Sequence, residues 1–229
     1  EVLAHPTVPI GAPGVELWLL FGGGLNSVGV PHRTNRAVRN LFTLAHRRGF
    51  GVVALTLTPW GDDGTEDERW QGGRALHALR STRAVVDFVL GRLSPREALG
   101  RYVDERRGVD APDAPWRGAE RPDVVVDLYD SRLRHRDATP WPFRAALARV
   151  GASRRWRRAT ADLDAEARDA RREAAARRLM EAPRWFLRPE YRGFDHIHLN
   201  RAGHRVIAET ACPELPSSWG CRCPGGGAE

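Results

Sequence analysis

VELWLLFGGGLNSVGVPHRTNRAVRNLFTLAHRRGFGVVALTL, residues 15–57, reads as strand, helix, strand. Its two ends, VELWLLF (15–21) and GVVALTL (51–57), are short and almost continuously apolar, so both faces of each strand need cover. Between them, TNRAVRNLFTLAHRRG places Ala37, Val38, Leu41, Leu44 and Ala45 on one helical face, with Gly49 where a left-handed C-terminal cap belongs. Two strands joined through a helix with short connections are parallel neighbours, because a hairpin cannot link parallel strands. The class is therefore α/β with a parallel sheet.

Working outward, a third buried strand is expected at DVVVDL (123–128). Residues 69–92 supply a helix carrying Leu76, Leu79, Val85, Val86, Val89 and Leu90. SPREALGRYVDER (94–106) opens a second, with Ser94 as cap, Pro95 at the first helical position and Glu97 closing a capping box. Residues 108–122 form a Pro/Gly-rich connector, not a domain boundary, since neither side has a complete core. Residues 157–182 read as one long polar helix with favourable Asp164–Arg168 and Glu173–Arg177 pairs. Its apolar stripe of Leu163, Ala167, Ala170 and Ala174 is thin. A solvated insertion and a lid or partner-binding helix both fit that pattern.

With 229 residues and 41% hydrophobic content, the chain can bury one good core. No apolar run approaches the roughly 18 residues of a membrane span. The net charge of +7 comes from 36 arginines against 29 acids, with no lysine. These arginines are dispersed among the acids, as GC-rich codon usage would leave them, and nucleic acid is not expected as a partner. Cys212, Cys221 and Cys223 lack zinc-site spacing; a disulfide from Cys212 to Cys221 or Cys223 and a tail of free thiols both remain open. The chain starts at Glu1 rather than methionine, so the compartment is left open.

FDHIHLNRAGHRVIAE (194–209) gathers Asp195, His196, His198 and His204 ahead of a helical pattern capped by Asn200, whose face is Val206, Ile207, Thr210 and Ala211. Three readings compete. A carboxylate three residues before a histidine can bond its Nδ1–H and leave Nε2 as a general base. Alternatively, His196 and His198 could share a metal with His204 or Asp195, although no second ligand cluster supports it. The third is a polar loop feeding a helix. The first gains weight from GGGLN after the first strand. That places glycines and Asn26 at the carboxyl edge of the sheet, where α/β proteins build sites and an amide can face an oxyanion. A glycine-rich turn with Asn26 left-handed is the plainer alternative. Neither GxGxxG nor GxxxxGK[ST] is present to mark a phosphate loop.

Taken in order, GGLN, VVALTLTPWGD, DVVVDLYD and FDHIHLNRAGHRVIAE resemble the SGNH/GDSL hydrolase family, esterases and related acyl hydrolases on a flavodoxin-like three-layer α/β/α fold. The resemblance implies that Gly24-Leu25-Asn26 is the block supplying the oxyanion-hole asparagine. It likewise makes Asp195 and His198 the acid and base of a catalytic triad, with no metal or organic cofactor. It spans residues 15–211, with an expansion at about 131–190, inside a domain of residues 1–211 followed by a Cys/Pro/Gly-rich tail at 212–229. Ser27 stands where the family usually has aspartate. The Gly-Asp-Ser nucleophile block and the glycine oxyanion block, which precede the asparagine block, are absent. The expectation is a C-terminal portion of such a hydrolase without its first strand, its nucleophile unknown and its first described strand left as an open edge for a partner or self-association. The substrate class implied is a small-molecule, lipid or glycan ester. An O-acyltransferase using the same residues, and a non-catalytic glycan- or lipid-binding protein that kept the fold, are the alternatives.

Overall fold

The computed structural model describes residues 14–60, 72–100, 115–135, 142–152, 154–181, 186–195 and 197–223. The expected βαβ unit is present. Strand β1 (Leu17–Gly22) leads through helix α1 (Pro31–Arg47) to β2 (Phe50–Leu55), which runs parallel to β1 with Leu17 opposite Phe50. Helices α2 (Gly72–Val89) and α3 (Pro95–Leu99) precede β3 (Val124–Val126), which pairs parallel to β2 on its other side. Gly49 takes the left-handed conformation (φ +77°) that ends α1. The Ser94–Glu97 capping box opens α3, but the helix stops at Gly100 (φ +64°), and residues 101–106 lie outside the described residues. Strand β3 is shorter than predicted because Asp127 leaves the ladder. Its Oδ1 accepts from the backbone N–H of Tyr129 and Asp130 and turns the chain.

Helix α7 (Arg201–Ala211) completes three layers. On one face of the sheet, Leu17, Leu19, Phe21, Val52, Ala54 and Val125 pack against Val38, Phe42 and Ala45 of α1 and against Phe88 and Leu99. On the other, Trp18, Val53, Leu55 and Val126 meet Ile207 and Ala211 of α7. The fold is α/β, a parallel sheet between helical layers. The face of α1 differs from the sequence expectation: Ala37 and Leu44 are exposed, while Thr34, Asn35 and Phe42 are buried. The cause is polar. Asn35 donates to the carbonyls of Ala84 and Ala98, which turns the helix about one position away from its purely apolar stripe.

Among the described strands, β1 pairs only with β2, so its outer edge is open, and Leu20 is 54% exposed. A strand this apolar at an edge is unusual, since edges normally carry charge or proline. Among the described residues no helix is long and apolar enough to cross a membrane.

The expansion is closed at its base by a two-stranded antiparallel ribbon, β4 (Arg134–His135) with β5 (Phe186–Leu187), too short to leave a pattern in the sequence. Above it stand α4 (Phe143–Ala152), α5 (Arg154–Ala159) and α6 (Ala165–Glu181). The single helix expected over 157–182 is thus two. Asp164 accepts from the N–H of Ala167 (2.8 Å) and caps α6, and Arg168 reaches back to the carbonyls of Thr160 and Leu163 at the end of α5. The predicted stripe is also displaced: Ala167, Ala170 and Ala174 are exposed, while Ala176 and Leu179 are buried against Ala146 and Val150 of α4. Residues 165–171 of α6 are exposed, whereas from Arg172, which donates to the Leu147 carbonyl of α4, the helix is packed.

At the opposite end of α1, His46 places Nδ1 3.0 Å from the Ala119 carbonyl and Nε2 2.9 Å from the Asp123 carboxylate. Both partners only accept, so the ring satisfies both only as an imidazolium. Burial works against that charge, but the bonds to Asp123 and Ala119 outweigh it and hold the pKa above the ordinary histidine value. A raised folded-state pKa contributes stability that is complete below the unfolded value of about 6.5 and is lost as pH rises through the folded one. Urea midpoints should therefore show the stability gap between the natural protein and His46→Gln shrinking from pH 5.5 to pH 8.5, by less than about 1 kcal/mol because the pair is partly exposed.

Cys212 and Cys223 form a disulfide, and Cys221 is free and exposed. The bridge ties down a tail in which Leu215 and Trp219 cover part of the sheet, Trp219 meeting Trp18 edge-on at 5.8 Å. Closing an 11-residue separation restricts the unfolded chain by an amount worth about 3 kcal/mol. Cys212→Ser, which also prevents re-pairing with Cys221, should lower the urea midpoint by up to that equivalent. Adding reductant should do the same to the parent and nothing to the variant.

Candidate active site

The site begins where β1 ends. Gly24 adopts φ +105°, which an L side chain rarely takes, and a Cβ there would lie 3.2 Å from Thr34 Cγ2. It starts a single 3₁₀ turn, Leu25–Ser27, stitched by the Ser27 N–H to the Gly24 carbonyl. Thr34, in the first turn of α1, donates its hydroxyl to the Ser27 carbonyl (2.7 Å) and holds the turn down. Thr34 was not legible as a site residue, because a lone threonine in a helical pattern carries no signal. Asn26 therefore sits in ordinary helical geometry, not in the left-handed conformation, so its identity is not a backbone requirement. Its side chain is exposed, with no hydrogen-bond partner among the described residues, leaving the NH2 free to donate.

The second half of the site lies in the loop before α7. Asp195 Oδ1 accepts from the backbone N–H of Ile197 (3.1 Å) and His198 (2.9 Å), while Oδ2 lies 2.5 Å from His198 Nδ1. One carboxylate thus shapes the loop and orients the ring. Three hydrogen bonds to the ionised form, first the His198 backbone N–H and then its ring, pull the Asp195 pKa down to about 2, so it is a carboxylate at any physiological pH. A neutral ring facing that carboxylate through Nδ1 carries its proton there and leaves Nε2 as an acceptor. The His198 side chain is 78% exposed and that of Asp195 25%.

Both halves share one edge. Leu25 and Val28, Leu57 and Trp60, and Tyr129 follow the carboxyl ends of β1, β2 and β3 in turn. They form one cluster against which Ile197, between Asp195 and His198, also packs. The helices α4 and α6 join the same cluster through Ala146, Val150, Ala176 and Leu179. The expansion therefore stands beside the site.

None of the described serines is hydrogen-bonded to His198. Ser27 donates to the Gly24 carbonyl, Ser94 caps α3, Ser131 bonds the Leu128 carbonyl, and Ser218 bonds Glu16. Ser81, 3% exposed, lies 3.5 Å from His77 Nε2, but that nitrogen is 3.0 Å from the Gly29 carbonyl. It must then be an N–H donor and cannot take a proton from Ser81. Ser153 and His196 lie outside the described residues; His204 is exposed on α7. No group of three or more His, Cys, Asp or Glu is placed to hold a metal among the described residues.

Comparison with family models, with curated proteins and with solved structures finds no match to this chain.

Proposed function

We propose that the protein is an ester hydrolase of the SGNH/GDSL type whose nucleophilic serine comes from outside these 229 residues. The observation that carries this reading is the Asp195–His198 pair with Nε2 unengaged, on the sheet edge that also presents the unpaired Asn26 amide. In the reaction, His198 Nε2 takes the serine proton as the hydroxyl attacks the ester carbonyl, and the same proton then goes to the departing alcohol. The Asn26 NH2 donates to the oxyanion, and Asp195 stays ionised and steadies the imidazolium. Water, activated by the same nitrogen, releases the acid and restores the serine. An O-acyltransferase differs only in placing an alcohol where that water stands. The serine-bearing segment would join the sheet at the open β1 edge, the position nearest Asn26. Substrates are small-molecule, lipid or glycan esters, and no cofactor enters any step.

The exposure of His198 and the absence of a serine beside it among the described residues favour a second reading, a binding protein that kept the fold and lost the chemistry. Fluorophosphonate treatment of the natural full-length protein separates the two. A hydrolase gives one labelled serine outside residues 1–229, with labelling lost in His198→Ala. No labelled serine, together with retained binding of a lipid or glycan ester, would leave only the binding protein.

A further inference from the structure

Asn200 does more than cap α7. Its Oδ1 accepts from the Gly203 N–H (3.0 Å), the ordinary capping bond. Its Nδ2 donates in the opposite direction, to the Glu190 carbonyl (2.8 Å) and the Arg192 carbonyl (3.2 Å). These two carbonyls belong to the strand of chain that enters the Asp195–His198 loop, while Asn200 leaves it. Around the amide, the Asn200 N–H reaches the Tyr191 carbonyl, the Gly193 N–H reaches the His198 carbonyl, and Arg192 bridges Leu199. The loop is thus a closed Ω whose two ends are joined by these backbone bonds and, across them, by the Asn200 side chain.

The space around that joint is already filled. A Cβ on Gly203 would meet the Tyr191 carbonyl at 2.8 Å and Leu199 Cβ at 3.0 Å, and one on Gly193 would meet the His198 carbonyl at 3.1 Å. Beneath, Tyr191 and Leu199 pack on Leu133, Leu187 and Val206. Among side chains, an amide alone offers an acceptor on one side and two donors on the other at this length. Serine or aspartate can cap the helix but cannot donate twice to the incoming strand.

We infer that Asn200 is a positioning residue for the Asp195–His198 pair, tying the loop's entrance to its exit so that the carboxylate and the ring stay in register. The inference rests on the proposed role of that pair for its consequence in turnover, but not for its test. His198 is highly exposed, so few packing contacts hold its ring, and the loop must supply the order.

The test is the tautomer of His198, read by long-range ¹H–¹⁵N NMR at a pH where the ring is neutral, in the parent, Asn200→Ser and Asn200→Asp. Both variants keep a helix cap, and the spectrum reports the folded population whatever its amount. The expected result is an Nδ1–H tautomer in the parent. In both variants that preference is lost, while the backbone amide of Gly203 keeps its protection from exchange. Retention of the Nδ1–H tautomer in both variants would overturn the assignment, as capping alone would then suffice. Because no ester is involved, failure of the hydrolase reading leaves this outcome unaffected.

Discussion

Replacing His198 by alanine in the serine-bearing protein is expected to lower kcat for a short-chain chromogenic ester by about 10⁴-fold or more, with KM nearly unchanged. In the proposed mechanism the group removed handles the reacting proton and not the ground-state ester, so the loss would fall on the transition state. Asp195→Asn should fall in the same range for a separate reason. Asparagine can still accept from the N–H groups of Ile197 and His198, which preserves the loop. Its NH2 would face Nδ1, however, and drive the ring proton to Nε2, where it blocks the transfer from serine. With its pKa near 2, Asp195 keeps its charge until pH falls through that value, so an acid limb above about pH 4 does not belong to it. The measurement is steady-state hydrolysis by the full-length protein and both variants. The 229-residue chain is expected to be inactive in the same assay. Turnover by that chain alone would show that the nucleophile lies within it, and turnover by His198→Ala at the parental rate would remove His198 from the mechanism.

Asn26→Ala is expected to lower kcat by about 10²–10³-fold, the usual effect of losing one oxyanion donor. The same change should leave the urea midpoint within about 0.5 kcal/mol of the parent, because the side chain is exposed and bonds to nothing described. That combination is the informative one. Had Asn26 been chosen for a left-handed turn, alanine would strain the backbone and cost stability; Gly24 takes that duty instead. Asn26→Asp is expected to be at least as slow as alanine, since a carboxylate beside a developing oxyanion repels it. A kcat within twofold of the parent for both variants would show that the oxyanion is held elsewhere.

The location of the expansion gives the site a wall. Helices α4 and α6 pack on the cluster that also seats Leu25 and Ile197, so their alanine-rich contact is tied to the carboxyl edge and not to remote surface. Cooperative unfolding of α6 with the sheet follows only from Arg172 onward, since residues 165–171 are exposed.

What the sequence by itself determined is everything governed by short-range pattern. Two apolar runs around a helix dictate a parallel βαβ unit, Gly49 and Ser94 punctuate their helices, and Asn200 caps the last one, since each depends on neighbours within a few residues. The spacing of Asp195 and His198 likewise holds both ends of one hydrogen bond within a single turn of chain. Tertiary structure decided what depends on partners distant in sequence. Buried polar bonds to Ala84 and Ala98, invisible to a count of apolar residues, set the face that α1 shows the sheet. The break before α6 was made by a cap and by Arg168 reaching back, not by a helix breaker. The pairing of Cys212 with Cys223 and not Cys221, in a tail whose Trp219 lies against Trp18, was open in the sequence and is seen only in the fold. Only the folded chain brings Leu25 and Ile197, more than 170 residues apart, against one cluster, because burial of apolar surface has no reach along the sequence and acts only between faces that the fold has already made adjacent.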